Sequence, residues 1–147
     1  MEINNRKATY NYFIENTYEA GIALKGTEIK SIREGSANLQ DSYAVIRKNE
    51  VFLLNMYVSH YKEGNQFNHE ERRTRKLLLH KNEILKISNK INTEGYTLIP
   101  LKLYFKRNKV KILLGLAKGK KIFDKRETIK KRDLEREARK EAKYSFR

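Results

Sequence analysis

The chain lacks several features that would define its class. Its 147 residues include no cysteine, which excludes disulfide bonds and thiolate chemistry. No stretch approaches the roughly 20 apolar residues of a membrane span. Met1 is followed by Glu2 and the polar run 4–7, which does not resemble the start of a signal peptide. We therefore expect a cytosolic protein with no membrane segment.

Residues arranged for catalysis are also scarce. His60, His69 and His80 are spaced nine and eleven residues apart, which matches no common metal site. We expect them in a solvated loop or at an RNA contact. No serine stands in a nucleophile elbow, and no phosphate-binding glycine loop occurs. The sequence predicts no metal, no cofactor and no catalytic function, with a metal-dependent nuclease as the alternative.

Positive charge is what the chain has in excess. Lysine and arginine give a net charge of +15, with an isoelectric point near 9.9. Such a charge bears on partners and association rate rather than on fold, and nucleic acid is its first candidate partner. The basic end of the chain lacks the broad apolar face of a helix that lies on a membrane. RNA binding is therefore the predicted function.

Alternating apolar and polar residues predict a mainly β protein. Strands are expected near 10–14, 18–24, 43–47, 51–58, 99–106 and 110–116, and helices near 26–35 and 82–92. Thr27 is the expected N-cap of the first helix, and Gly35 and Gly95 are the expected helix stops. Residues 76–80 suit a strand or a helix start, and 59–75 a long functional loop. Hairpin connections without βαβ alternation predict a small antiparallel β-barrel with packed helices.

The last predicted hairpin has two different faces. Ile99, Leu101, Leu103 and Phe105 are expected to face the core, and Pro100 to mark an edge or a bulge. The opposite face would carry basic residues and one aromatic ring, namely Lys102, Tyr104, Lys106, Lys109 and Lys111. This face suits either RNA, with phosphates on the lysines and a base on the ring, or plain solvent. A general single-strand RNA binder is therefore an alternative function.

The basic segment at the end of the chain predicts an arm that orders on its target. Asp124 and Glu127 fit a helix N-cap and its reciprocal partner, and Glu127 to Lys131 adds a supporting pair. Arg132 and Arg136 repel one another on the same face, and the apolar stripe is thin. We expect disorder in the free protein and a helix on RNA. The alternative is a solvating tail without a role.

Motifs along the chain match one known family. They occupy residues 5–8, 18–22, 26–35, 38–43, 64–65, 68–69, 75–80, 95–97, 100–101, 117–121 and 124–127. Among them are Gly26-Thr27-Glu28-Ile29-Lys30-Ser31-Ile32-Arg33-Glu34-Gly35 and Ala117-Lys118-Gly119-Lys120-Lys121. In this order, and over nearly the whole chain, they resemble small protein B, the tmRNA-binding protein of bacterial ribosome rescue.

The resemblance implies a fold, partners and a mode of action. Residues 1–123 would form an OB-like antiparallel barrel with two or three short helices, which grips the tRNA-like domain of tmRNA. The protein would stand where the anticodon stem of a tRNA stands. Residues 124–147 would enter the empty mRNA channel near the decoding centre, against small-subunit rRNA of the ribosome, and become helical there. Elongation factor Tu on aminoacylated tmRNA is a further implied partner, and a monomer is expected.

The resemblance also implies the contact residues. The RNA-binding positions are Asn4, Asn5, Glu19, Lys30, Ser31, Arg33, Leu78, Lys118, Lys120 and Lys121. The ribosome-binding positions are Asp124, Lys125, Arg126, Lys130, Lys131 and Arg132. Because a carboxylate cannot pair with phosphate, Glu19 would accept hydrogen bonds from base amino or 2′-hydroxyl groups. The alternatives are an internal salt bridge for Glu19 and a core position for Leu78.

Overall fold

A computed structural model of the protein describes residues 2–63 and 68–119. Within these ranges the chain forms nine strands and three helices. The strands are β1 (Glu2–Asn4), β2 (Tyr12–Ile22), β3 (Ala37–Asn38), β4 (Tyr43–Arg47), β5 (Glu50–Leu54), β6 (Tyr57–Val58), β7 (Arg75–Leu78), β8 (Thr97–Lys106) and β9 (Lys109–Gly119). The helices are α1 (Ala8–Asn11), α2 (Gly26–Arg33) and α3 (Lys81–Glu94). Residues 76–80, for which the sequence allows either a strand or a helix start, therefore begin in strand β7.

The longer strands pair into one antiparallel sheet that curls into a ring. Their order is β1-β8-β4-β5-β7-β2-β9, and β9 pairs with β8 to close the ring. Strand β1 runs along the other edge of β8, while β3 and β6 form a separate two-stranded sheet. A ring of hairpin-connected strands with short helices confirms the predicted mainly β fold.

Two tight hairpins set the register of this sheet. Lys48 and Asn49 connect β4 to β5 with φ angles of 51° and 63°. Arg107 and Asn108 connect β8 to β9 with the same pair of angles. Two consecutive positive φ angles in a two-residue loop match the twist of the flanking strands. Both hairpins lie where the sequence predicts them.

A bulge divides β8 into two halves that face different clusters. The register shifts between Pro100 and Lys102, so Leu101 is the extra residue. Leu103 packs in the main core inside the ring, whereas Ile99 and Leu101 pack in a smaller cluster with α1 and the end of β9. The predicted bulge at Pro100 is confirmed. The prediction of a single core face for this strand is wrong, because an inserted residue reverses the side-chain alternation.

The two longer helices end where glycine adopts a left-handed conformation. Gly35 follows α2 at φ 78°, and Gly95 follows α3 at φ 72°, as the sequence predicts. The N-cap of α2 is Lys25 rather than Thr27, so that prediction is wrong. The backbone N–H of Lys25 donates to Glu28 Oε1 over 2.8 Å, which is the bond by which an acidic residue at N3 satisfies the backbone of the N-cap residue.

A buried ion cluster joins α2 to β7. The side chains of Glu28 and Arg75 are both 0% exposed, and Arg75 Nε donates to Glu28 Oε2 over 2.5 Å. Arg73 approaches the other carboxylate oxygen at 2.6 Å, and Arg75 also donates to the Met56 carbonyl over 2.7 Å. Burial by itself would raise the pKa of Glu28, but these guanidinium groups and the Lys25 N–H hold that pKa below its ordinary value.

Buried contacts also fix parts of the segment that the sequence predicts to be a long loop. His69 is 2% exposed: its Nε2 donates to the Val58 carbonyl over 2.9 Å, so its Nδ1 accepts from the Thr27 hydroxyl over 2.9 Å. The expected solvated or RNA-contacting role is therefore wrong for His69. Arg75 begins strand β7 rather than lying in the loop, and its buried side chain is the partner that the buried Glu28 carboxylate requires.

Removing the Arg75 guanidinium should destabilise the fold strongly. In Arg75→Met the buried Glu28 carboxylate loses a partner, and we expect a loss of about 3–5 kcal/mol in the free energy of unfolding. Lys76→Met is the matched control, because Lys76 pairs with Glu50 and both side chains are 46% exposed. That control should lose less than about 1 kcal/mol. Urea unfolding measures both, and equal losses would contradict a special role for the buried cluster.

Candidate nucleic-acid interface

One outer face of the ring collects basic residues from neighbouring strands. Ala20 on β2, Ile112 on β9 and Leu103 on β8 are each 0% exposed and point into the core. Their sequence neighbours therefore point outwards. We call this outward set the basic face; it comprises Glu19, Leu78, Lys102, Tyr104, Lys106, Lys109 and Lys111. The face that alternation predicts on the last hairpin thus continues across β2 and β7.

Glu19 is contacted at both carboxylate oxygens by donors from β8. The Tyr104 hydroxyl donates to its Oε2, and Lys106 Nζ lies 3.2 Å from its Oε1. The Glu19 side chain stays 37% exposed. The Tyr104 hydrogen bond, followed by that of Lys106, lowers the pKa of Glu19, while burial and Glu19 raise the pKa of Tyr104 to about 12. The internal salt bridge considered as an alternative for Glu19 is therefore present, and part of the carboxylate still faces solvent.

Strand β1 forms the edge of the basic face. Asn4 pairs with Lys102 in the ladder and is exposed, while the Lys102 ammonium lies 3.6 Å from the Glu2 carboxylate. Asn5 is half-buried, and its side-chain amide donates to the Pro100 carbonyl over 2.8 Å. The two predicted contact residues thus differ in accessibility. Asn4 is exposed and can contact a ligand, whereas the Asn5 amide is bonded to the bulged part of β8.

Leu78 lies beside a surface cavity at the β7 edge. It is 54% exposed, so the structure excludes a core position for it. The cavity has a volume of about 310 Å³ and is lined by Gly21, Ile29, Leu78 and Lys109 among others. A side chain on Gly21 would crowd this site, since a Cβ there would lie 3.3 Å from Leu78 Cβ. An exposed leucine beside a lysine offers an apolar contact within a basic surface.

Helix α2 presents two of its three predicted contact residues. Lys30 Nζ lies over the Tyr61 ring at 5.3 Å, and the Arg33 guanidinium lies over the Phe105 ring at 4.9 Å. The Arg33 contact lies beside the β8–β9 hairpin, and the Lys30 contact lies on the segment that follows β6. Ser31 is 1% exposed, and its hydroxyl has no hydrogen-bond partner among the described residues. A direct contact from the Ser31 side chain is therefore incompatible with this structure, because the helix buries it.

Lys118 lies near the end of β9, far from Leu78, which is level with Lys111 near the start of that strand. It is seven residues from Lys111, about 23 Å at the usual rise of a strand. Its Nζ lies over the Tyr96 ring at 4.6 Å, next to Glu15 and Phe13. The structure thus separates the predicted RNA contacts into two regions, one around Leu78 and one around Lys118.

The remaining predicted residues lie outside the described part of the chain. They are Lys120 and Lys121, together with the ribosome-binding positions Asp124, Lys125, Arg126, Lys130, Lys131 and Arg132. Their roles stay predictions. Strand β9 ends at Gly119, paired with Tyr12 on β2, so the chain leaves the described body beside the start of β2.

The aromatic side chains that hold two of the predicted contact residues have no signal in the sequence. Tyr61 and Phe105, which carry Lys30 and Arg33 on their rings, are distant from them in the sequence. Ile29 lies three residues from the fully buried Ile32 on α2, yet it is only half-buried and lines the cavity. No local pattern marks these roles, because each depends on packing between elements that are remote in the chain.

Metal-binding geometry does not occur in the part of the chain that the structure describes. No group of three or more His, Asp or Glu side chains there could hold a metal ion. The rings of His60 and His69 meet edge to face at 5.7 Å, but both nitrogens of His69 are already in hydrogen bonds with protein groups. Among residues 2–63 and 68–119, no helix is long and apolar enough to cross a membrane.

Comparison with known proteins identifies the family. The model of the SmpB protein family matches residues 2–144. The chain belongs to this family. An SsrA-binding protein from Trichodesmium erythraeum is 60% identical over 90% of this chain and 86% of its own length. One from Caldicellulosiruptor saccharolyticus is 58% identical over 97% of this chain and 90% of its own length.

A solved SmpB-family structure shares the fold. It is described as "tmRNA-SmpB: a journey to the center of the bacterial ribosome", and it superposes on this chain with a TM-score of 0.68 at 48% sequence identity. The match covers 81% of this chain and 84% of the other. The ring-like antiparallel sheet described above is therefore the SmpB fold.

Two adjacent leucines of β7 should separate stability from binding. Leu77 is 1% exposed and Leu78 is 54% exposed. Leu77→Ala should lower the free energy of unfolding by about 2–5 kcal/mol, whereas Leu78→Ala should lower it by about 1 kcal/mol or less. Leu78→Ala should also weaken binding to the tRNA-like domain of tmRNA about 3- to 10-fold. Urea unfolding and a binding titration measure these effects, and unchanged binding by Leu78→Ala would remove Leu78 from the interface.

Proposed function

We propose that this chain is an RNA-binding adaptor in the rescue of stalled bacterial ribosomes. It binds the tRNA-like domain of tmRNA, takes the place of an anticodon stem, and directs the end of the chain towards the decoding centre and the empty mRNA channel. The observation that carries this proposal is the likeness to SsrA-binding proteins over nearly the whole chain. The adaptor has no catalytic step of its own.

The geometry of the basic face supports recognition of a structured RNA. Lysines from adjacent strands lie at fixed spacing on a curved sheet, which suits phosphates on a folded backbone. Glu19 among them repels phosphate and accepts hydrogen bonds from base amino or 2′-hydroxyl groups, so the affinity that it adds depends on donors in defined positions. The alternative, a binder of unstructured RNA, needs an open ring for stacking, whereas Tyr104 is half-buried and engaged with Glu19.

The predicted contacts suit a division of labour between the body and the tail of the chain. Asn4, Glu19, Leu78 and the α2 cations lie on the body and would grip tmRNA, together with Lys118, Lys120 and Lys121 where β9 ends. Residues 1–123 form the tmRNA-binding body in this proposal. Residues 124–147 form the ribosome-binding tail, with Asp124, Lys125 and Arg126 at its start.

The proposed partners imply a cellular location and a stoichiometry for the protein. Ribosomes and tmRNA are cytoplasmic, so the chain acts in the cytoplasm. It acts as one copy on each tmRNA, because a single copy replaces a single anticodon stem. Aminoacylated tmRNA travels with elongation factor Tu, which is therefore a partner through the RNA.

Truncation after Phe123 should separate the two activities. The truncated protein keeps the whole predicted tmRNA-binding body, so it should bind the tRNA-like domain as tightly as the full chain. It should fail to support tagging on stalled ribosomes, because the predicted ribosome-binding tail is missing. A gel-shift titration at near-physiological salt, with bulk tRNA and unstructured RNA as competitors, measures the first property, and a reconstituted rescue assay measures the second.

Each result of this experiment decides one claim. Displacement of both proteins by either competitor would contradict tmRNA specificity and favour the general RNA binder. Loss of binding on truncation would contradict the division between body and tail. Full rescue by the truncated protein would show that the tail is dispensable.

Salt dependence should distinguish the two kinds of predicted contact. Lys120→Ala removes a phosphate contact, so the slope of log affinity against log salt should flatten by somewhat less than about one unit. Glu19→Ala should weaken binding and leave this slope unchanged, since no counterion is released at a carboxylate that contacts bases or ribose. Titrations at several salt concentrations measure both. A change confined to the slope in Glu19→Ala would show that its role is purely electrostatic.

A further inference from the structure

The contacts of Glu19 cross three strands of the ring. Glu19 is on β2, its partners Tyr104 and Lys106 are on β8, and β9 lies between them. The Tyr104 hydroxyl binds one carboxylate oxygen, and Lys106 Nζ lies 3.2 Å from the other. Both donors belong to the same strand and face the same side of the sheet, so together they approach the carboxylate from the β8 side.

This arrangement restricts a side chain that would otherwise move freely. A glutamate on a surface samples several rotamers, and binding to a partner requires that this freedom be lost. Two donors fixed on a paired strand confine the carboxylate before any partner arrives. A carboxylate has about four lone-pair sites. The two donors leave others available, and the side chain is 37% exposed.

We propose that Tyr104 is a positioning residue that orients the Glu19 carboxylate for hydrogen bonds from the amino or 2′-hydroxyl groups of a bound RNA, with Lys106 as the second donor. This inference rests on the proposed function, because it assumes that Glu19 contacts RNA. Tyr104 thus acts through its hydroxyl on Glu19, and its ring is not a platform for a base. The role differs from the stacking role that the sequence suggests.

The charges around Glu19 agree with this assignment. On β8 it faces Tyr104 and Lys106, on β9 it faces Lys111, and Glu2 on β1 lies near Tyr104. The Tyr104 hydrogen bond is the largest influence that lowers the pKa of Glu19. Removing that hydroxyl should therefore raise this pKa towards its ordinary value, with Lys106 and Lys111 still opposing the rise.

The test combines a titration of the free protein with binding to RNA. The variants are Tyr104→Phe, Lys106→Met, Glu19→Ala and the double variant of Tyr104→Phe with Glu19→Ala. Tyr104→Phe keeps the ring and loses only the hydroxyl. Tyr43→Phe is the matched control, because Tyr43 is a strand tyrosine that is 46% exposed and lies away from the basic face. Carboxyl ¹³C shifts report the pKa of Glu19, and titrations with the tRNA-like domain of tmRNA report affinity.

The expected outcome has three parts. Tyr104→Phe raises the pKa of Glu19, while Tyr43→Phe does not change it. Tyr104→Phe weakens binding about 2- to 10-fold, the range expected when one side chain must be ordered on binding, with an unchanged salt slope. In the Glu19→Ala background the same substitution has no further effect. Lys106→Met should also raise the pKa of Glu19, and its binding loss should include a change in salt slope.

Other outcomes would overturn the inference in distinguishable ways. An unchanged pKa of Glu19 in Tyr104→Phe would show that the hydroxyl does not hold the carboxylate. An equal loss of affinity with and without Glu19 would show that Tyr104 contacts RNA independently. If Glu19→Ala binds as tightly as the wild type, the proposed contact of Glu19 with RNA fails, and this inference fails with it even if the pKa moves.

Discussion

The Glu28 carboxylate, enclosed with the Arg75 guanidinium and bridged to Arg73, joins helix α2, strand β7 and the segment that precedes it. A buried charge without a partner would destabilise the protein severely, so this contact restricts how the three elements can be arranged. The orientation of α2 follows from it. That orientation brings Lys30 and Arg33 to the surface and encloses Ser31. Glu28 and Arg75 are fully buried, yet their pairing determines which side of α2 faces solvent.

The basic face on the outside of the ring holds its charges at the surface. Lysines dominate the basic face, and Glu19 is the acidic residue at its centre. Lysines by themselves would bind any polyanion, whereas a carboxylate repels phosphate and requires donors in defined positions. The hydroxyl of Tyr104 and the ammonium of Lys106 keep this carboxylate ionised and oriented. The combination suits selective binding of a folded RNA better than binding of any RNA chain.

Local sequence patterns predict the turns and helix ends correctly, whereas residues with remote partners are predicted wrongly. The outward alternation from Lys102 to Lys111, the two-residue turns at Lys48 and Arg107, and the glycine after each longer helix are local features, and their predictions are confirmed. The single core face predicted for β8 is wrong, because the bulge at Leu101 divides the strand between two clusters. The errors concern residues whose partners are remote in the sequence. His69 and Arg75 read as polar loop residues because nothing nearby shows that Thr27 and Glu28 will enclose them.

The sequence by itself determined the class of fold, the polyanionic partner and, through its motifs, the family. These follow from periodicity, net charge and local residue order, which do not depend on how the chain closes. Only the tertiary structure decided that Leu78 is exposed, that Ser31 is buried and that Glu19 is paired with Tyr104. Exposure and pairing depend on strand register, and the single extra residue Leu101 in β8 changes that register for every side chain on one side of it.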